Sequence, residues 1–195
     1  MLVRRNMDDL MELELPAGGI AACHACACNP RKFPHYPKDW VPENCGFSAV
    51  SGPAGAQPVP SDSPRPHNLL NSGTVVLEPS IELAQQMYHF LATDERVPSF
   101  SFPDQDLLAA FFHGKWRSIN WYYNALRTLR TVHAAIWDDD LVRCVHYILA
   151  DKPWQVRDSK EFAVVNGWWW EQYEDMSRQL DSEALALVSS IVAPA

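Results

Sequence analysis

Apolar positions along this chain follow two rhythms that take turns. Residues 18–28, Gly-Gly-Ile-Ala-Ala-Cys-His-Ala-Cys-Ala-Cys, form a run of small side chains suited to a strand packed closely against another backbone. Residues 69–77, Leu-Leu-Asn-Ser-Gly-Thr-Val-Val-Leu, place β-branched side chains after a glycine, the pattern of a buried strand. Pro79 and Ser80 then open a helix through about residue 91, with Ile81, Ala84, Met87, Tyr88 and Leu91 on one face. A second helix is predicted over 104–113, begun after Pro103 and ended by Gly114. Residues 143–149 form another apolar strand. Residues 166–180 return to helical spacing through Trp169, Tyr173, Met176 and Leu180. Near the start, Asn6 can cap a short helix through Met11. Strands interleaved with helices indicate an α/β architecture.

Two stretches break the rhythm. Residues 29–44 hold Pro30, Pro34, Pro37 and Pro42, and are predicted to be mostly non-helical loop. Residues 49–67 are rich in Pro, Ser, Gly and Ala, which suggests a flexible insertion between ordered elements rather than a domain boundary.

Composition narrows the class. The 195 residues are enough for one domain with a real core, and 47% hydrophobic against 21% charged residues describes a globular chain. A net charge of −8 argues against nucleic acid as the main partner, yet leaves room for one small anionic ligand at a local cation. No apolar run approaches the roughly 18–20 residues that span a bilayer, so no membrane partner is expected. Met1 to Leu15 lacks an apolar signal-peptide core, and five cysteines, an odd number, suit a reducing compartment; the expected localisation is cytoplasmic.

Candidate chemistry is concentrated in a few short segments. Arg143 to Trp154 delivers His146 from an apolar strand and Lys152 from the following loop, beside Pro153 and Trp154. An imidazole can hold a divalent ion and an ammonium can hold a phosphate. Asn71-Ser72-Gly73 combines an amide that both donates and accepts with a glycine that permits close approach; an ordinary turn entering a strand would have the same residues. Phe102-Pro103-Asp104-Gln105 places an acid and an amide at a helix start, where Asp104 serves either as N-cap or as an acceptor for sugar hydroxyls. The cluster Trp121-Tyr122-Tyr123-Asn124 suits core packing better than sugar stacking. Cys23, Cys26 and Cys28, with His35 or Cys45, permit a small zinc module. A second Cys-x-x-Cys pair is lacking, however, and Cys26 and Cys28 alternate as strand residues would.

Taken together, Asn71-Ser72-Gly73-Thr74-Val75-Val76-Leu77-Glu78-Pro79-Ser80, Asp104-Gln105 with its apolar helix, and Val142 to Trp154 resemble the family-8 retaining glycosyltransferases, the group containing glycogenin and galactinol synthase. Cys28-Asn29-Pro30 and His35-Tyr36-Pro37 are similar to segments of fungal-type members. The resemblance implies a GT-A type, Rossmann-like nucleotide-diphospho-sugar transferase domain, a UDP-sugar donor, a hexose transferred with retention, and manganese or another divalent metal. It implies that His146 ligates the metal and that Lys152 stabilises the leaving diphosphate. Asn71, Ser72 and Gly73 would line the donor-sugar pocket, and Asp104 and Gln105 would orient the sugar at the reacting centre. The acceptor stays open among inositol, self-glucosylation and others. Ser101 stands where glycogenin has a further acid.

The resemblance runs over roughly residues 1–175 but corresponds to the later part of the family domain. The Asp-x-Asp metal ligands that would precede Met1 are not in the chain, and Asp8-Asp9 is in the wrong place to substitute. The expectation is therefore a single partial transferase domain over 1–195, weakly active or inactive by itself. Its parallel sheet would have an exposed edge favouring association into an oligomer. A non-catalytic sugar- or partner-binding fragment is the alternative.

Overall fold

The computed structural model describes residues 1–53 and 66–192. Most of the 49–67 insertion, residues 54–65, thus lies outside the described residues. In chain order the elements are β1 (Leu2–Val3), β2 (Ile20–His24), β3 (Leu70–Leu77), α1 (Ile81–Thr93), α2 (Pro103–Phe111), β4 (Trp116–Ser118), β5 (Ala125–Leu126), α3 (Leu129–Val132), β6 (Cys144–His146), α4 (Ala163–Ser177) and α5 (Ser182–Ser189), with short 3-10 turns between them.

The strands form two small sheets rather than one parallel sheet. One has the order β3-β2-β4 and the other β1-β6-β5. Each mixes directions: β2 pairs antiparallel with β3 and parallel with β4, while β6 pairs antiparallel with β1 and parallel with β5. The expected α/β class is present; among the described residues the expected parallel sheet is replaced by these two mixed ones. Even the antiparallel partners are far apart in sequence, His24 from Leu70 and Val3 from Cys144, so long connections feed these short strands.

β2 is the central strand of its sheet, and all five of its residues are buried. Its side chains alternate between two cores, as a strand's period of two requires. Ile20 and Ala22 face the main core with Leu70, Phe112, Trp121, Leu129 and Val145. Ala21 and Cys23 face a smaller cluster with Leu10, Ile119 and Tyr123. The 3-10 turn Trp121–Asn124 touches β2, β3, β5 and β6, so it is the seam between the sheets.

Several helix details differ from the sequence pattern. On α1, Ile81 and Tyr88 are both 73% exposed; Met87 of the expected face does pack on the core, joined by Leu83 from outside that face. At the start of α2 the capping carboxylate is Asp106, not Asp104. Its Oδ2 accepts from the backbone N–H groups of Ser101 and Phe102, both at 2.9 Å. Asp104, in the first turn, takes no part in that contact. The segment after Asn6 is a 3-10 turn, Asp8–Glu12, with Asn6 Oδ1 accepting from the Asp8 N–H. The final strand is shorter than 143–149: pairing stops at His146, and the chain then turns through Leu149 and Asp151 at φ of 67° and 55°.

Two glycines test this packing in opposite senses. A Cβ on Gly19 would lie 2.0 Å from the Lys115 carbonyl oxygen, where β2 meets β4. Gly19→Ala is expected to destabilise by about 1–3 kcal/mol or more in chemical denaturation. Gly167 lies in α4 with nothing within 4 Å of an added Cβ. Gly167→Ala is expected to stabilise by about 0.5–1 kcal/mol in the same measurement.

Candidate functional site

The site begins with an irregularity in β3. Ala22 pairs with Val75, but the next residue of β2, Cys23, pairs with Asn71. Ser72, Gly73 and Thr74 therefore bulge out of the ladder toward the seam. Thr74 Oγ1 donates to the Tyr123 carbonyl at 3.0 Å, and the Gly73 N–H turns inward to Asn71 Oδ1 at 3.0 Å. Gly73 is required by space: a Cβ there would sit 2.4 Å from His146 Nδ1 and 2.7 Å from Asn124 Oδ1.

Around that glycine runs a relay of side-chain amides. Asn71 Nδ2 donates to Gln105 Oε1 at 3.0 Å, Asn124 Nδ2 donates to Asn71 Oδ1 at 2.6 Å, and Asn124 Oδ1 faces His146 Nδ1 at 3.0 Å. The direction of the relay follows from one unambiguous donor. The Gly73 backbone N–H forces the oxygen of Asn71 toward it, so Asn124 must approach that oxygen with its NH₂. Its own oxygen then meets Nδ1, which must carry the proton. His146 is thereby held as the Nδ1–H tautomer, leaving the Nε2 lone pair free. Burial is the main cause of the low imidazole pKa, about 4, and the Lys152 ammonium lowers it further, against the Asp104 carboxylate. The ring stays neutral at physiological pH.

Ser72 and Asp104 form a flanking pair, with Ser72 Oγ donating to Asp104 Oδ2 at 2.5 Å. Lys152 Nζ donates to the Tyr147 carbonyl, and burial, followed by the neighbouring Arg127 charge, lowers its pKa. The imidazole at 146, the amides at 71 and 105, and the glycine at 73 are thus joined by a continuous chain of contacts. Asp104 and Lys152 lie close enough for their charges to act on that imidazole.

Two residues of this arrangement escaped the sequence reading. Asn124, 1% exposed, looked like the end of an aromatic packing cluster, yet its amide is the bridge between β3 and β6. A polar residue closing a run of three aromatic ones was the available signal. Arg127, also 1% exposed, donates to the carbonyls of Ala150 and Asp151 and lies over the Phe162 ring at 4.2 Å. It holds the loop that presents Lys152 in its left-handed conformation, and nothing in its sequence context distinguished it.

The cysteine reading needs correcting too. Cys23 is separate from the others: its Sγ donates to the Asn120 carbonyl at 3.2 Å, and burial pushes its thiol pKa well up. His35 packs against Phe33 and Tyr36. Cys26 and Cys28 lie beyond the end of β2 and do not alternate as strand residues. They converge with Cys45 and with His133, at the end of α3, a residue not considered from sequence.

The relay makes a definite spectroscopic prediction. Long-range ¹H–¹⁵N NMR of the imidazoles should find His146 protonated at Nδ1, and an Nε2–H signal would contradict the relay's direction. Gly73→Ala should abolish that tautomer preference, because the new methyl occupies the ring's position. For the loop clamp, Arg127→Met should speed backbone hydrogen exchange over residues 149–152 relative to the wild-type chain.

Similarity to known proteins accords with this geometry. A model of the family described as "Glycosyl transferase family 8" matches residues 59–157, which contain all seven of the residues singled out between Asn71 and Lys152. Galactinol synthase 2 of Solanum lycopersicum is 28% identical over 179 residues, covering 88% of this chain and 50% of that protein. Galactinol synthase 4 of Arabidopsis thaliana is 30% identical over 149 residues, covering 70% and 44%. The chain therefore spans about half the length of the curated relatives it matches. The solved structure of the glycosyltransferase GlyE from Streptococcus pneumoniae TIGR4 superposes with a TM-score of 0.54 at 19% identity, over 100% of this chain and 42% of that one, which establishes a shared fold. Among the described residues no helix is long and apolar enough to cross a membrane. With half of its residues matched by the family model and its fold shared with a glycosyltransferase, this chain belongs to glycosyl transferase family 8.

Proposed function

We propose that this chain carries the donor-sugar side of a hexosyltransferase that uses a UDP-sugar and retains the anomeric configuration. The observation that supports this best is the amide relay Gln105–Asn71–Asn124–His146 wrapped around Gly73. It is an array of fixed hydrogen-bonding groups beside a glycine, half-buried at residues 71–73, and suited to the ring hydroxyls of a sugar. Asn71, Ser72 and Gly73 would bind the donor, with Asp104 and Gln105 orienting the hexose next to the reacting carbon. Lys152 would leave the Tyr147 carbonyl for the diphosphate, where an ammonium counters the charge that develops on the leaving group.

His146 has the features of a metal-ligating imidazole: a free Nε2, and an Nδ1–H anchored by a buried amide. A bound manganese would act as a Lewis acid on the diphosphate. Among the described residues, however, His146 belongs to no group of three or more metal-ligating side chains. One imidazole is an incomplete donor set, so the role assigned to this chain is the imidazole and its support. That same incompleteness favours a second reading, in which the chain binds the donor sugar without turning it over.

The two readings separate in one experiment. The purified chain is incubated with UDP-glucose or UDP-galactose, a divalent ion, and inositol or water as acceptor. UDP release is followed, and UDP binding is measured by calorimetry. Transferase function predicts release that His146→Ala abolishes and Asn124→Leu lowers by about 10–100-fold, with UDP affinity reduced by Lys152→Ala. Binding without release under every combination supports the second reading, and absence of both overturns the proposal.

A further inference from the structure

With residues that take no part in the amide relay, the chain gathers three thiols and an imidazole. Cys26 and Cys28 follow β2, Cys45 precedes the 3-10 turn Gly46–Ala49, and His133 ends α3. One ligand atom from each of these four residues lies within 4.8 Å of every other. His133 Nε2 is 3.1 Å from Cys28 Sγ and 3.8 Å from Cys45 Sγ. Ligands on a tetrahedral zinc, with bonds of about 2.3 Å to sulfur and 2.0–2.1 Å to nitrogen, stand roughly 3.5–3.8 Å apart. The cluster therefore already has almost the dimensions of a loaded site.

We propose that Cys26, Cys28, Cys45 and His133 form a closed structural zinc site that pins the proline-rich loop 29–44 to the body of the transferase fold. Three thiolates make the site soft and select zinc over manganese or magnesium, which prefer oxygen. Four protein ligands leave no open position for substrate, which is the mark of a structural rather than a catalytic ion. A Cys–His nucleophile is a poorer account of the same atoms, because Cys28 and Cys45 are only 5% and 2% exposed and no substrate reaches them. The three sulfurs and the ring nitrogen converge within 4.8 Å of one another, so a single divalent ion can take all four as ligands.

The consequence reaches the transferase site through packing. Loop 29–44 carries Tyr36 and Trp40, whose rings meet Phe102 at 5.3 and 5.1 Å, the latter stacked. Phe102 immediately precedes α2 and its Asp104 and Gln105. On the other side, His133 ends the short helix that follows Arg127, the clamp on the Lys152 loop. The ion would thus brace both edges of the candidate site without touching it.

The test uses the full chain, purified without chelator. Metal analysis by mass spectrometry should find about one zinc per chain, and X-ray absorption at the zinc edge should report three sulfur ligands and one nitrogen. Cys45→Ser and His133→Ala should each lose most of the zinc, whereas Cys23→Ser and Cys144→Ser should keep it. Because a ligand variant can fail simply by misfolding, the wild-type chain is also stripped and refilled with cobalt(II). Intense thiolate-to-cobalt absorption is then expected, and hydrogen exchange in loop 29–44 should slow when metal is restored. A wild-type chain that takes up no zinc, zinc ligated only by nitrogen and oxygen, or equal loss of zinc in Cys23→Ser would each overturn the site. These outcomes are independent of UDP release, so they stand apart from the transferase reading.

Discussion

A buried side-chain amide has four hydrogen-bonding valences to satisfy and no water to satisfy them, and Asn124 sits under that constraint at the junction of two sheets. It ends the turn that touches strands on both sides, and it meets its need by taking Asn71 from one sheet and His146 from the other. Leaving such a group unpaired costs about 1–3 kcal/mol, so the register of β3 and the position of β6 are coupled through a single side chain. The bulge at Ser72–Thr74, the glycine at 73 and the tautomer at 146 all follow from that coupling. A change in any of them unsettles the others.

The same coupling explains why the chemistry is shared among short elements. β6 contributes only three residues, and β5 only two. Neither would persist without its neighbours. His146 is fixed less by its own strand than by the Leu126 pairing beside it and the amide facing its ring. The loop beyond is held in turn by a guanidinium reaching back to the carbonyls of Ala150 and Asp151. Precision at this site comes from side chains tying backbone together, where longer strands would use ladder hydrogen bonds.

Much of the fold was legible before the structure was known. The long strand over 70–77 and the helices over 81–93, 103–111 and 163–177 have periodicity or punctuation strong enough to locate them. The details that failed share a cause. Asp104 was a plausible cap, but the helix begins at Pro103, and it is Asp106, two residues on, that reaches back to the N–H groups of Ser101 and Phe102. On α1, Ile81 and Tyr88 fit an apolar stripe, yet both are exposed, and Leu83 packs on the core beside Met87. The residues quoted for the sugar pocket could be named because each lies in a recognisable segment. Asn124 and Arg127 could not, because their importance arises from groups 22–53 residues away along the chain. His133 was missed for the same reason: its partners Cys28 and Cys45 lie 105 and 88 residues from it.

The Arg127 clamp has a bearing on how this protein can diverge. It grips main-chain oxygens, which every amino acid supplies, so the identities of Ala150 and Asp151 matter little to the grip. What is constrained is torsion: Leu149 and Asp151 adopt angles more comfortable for glycine or asparagine. Drift in this bend should therefore be permissive in side-chain character and biased toward those two residues, while the arginine itself stays put.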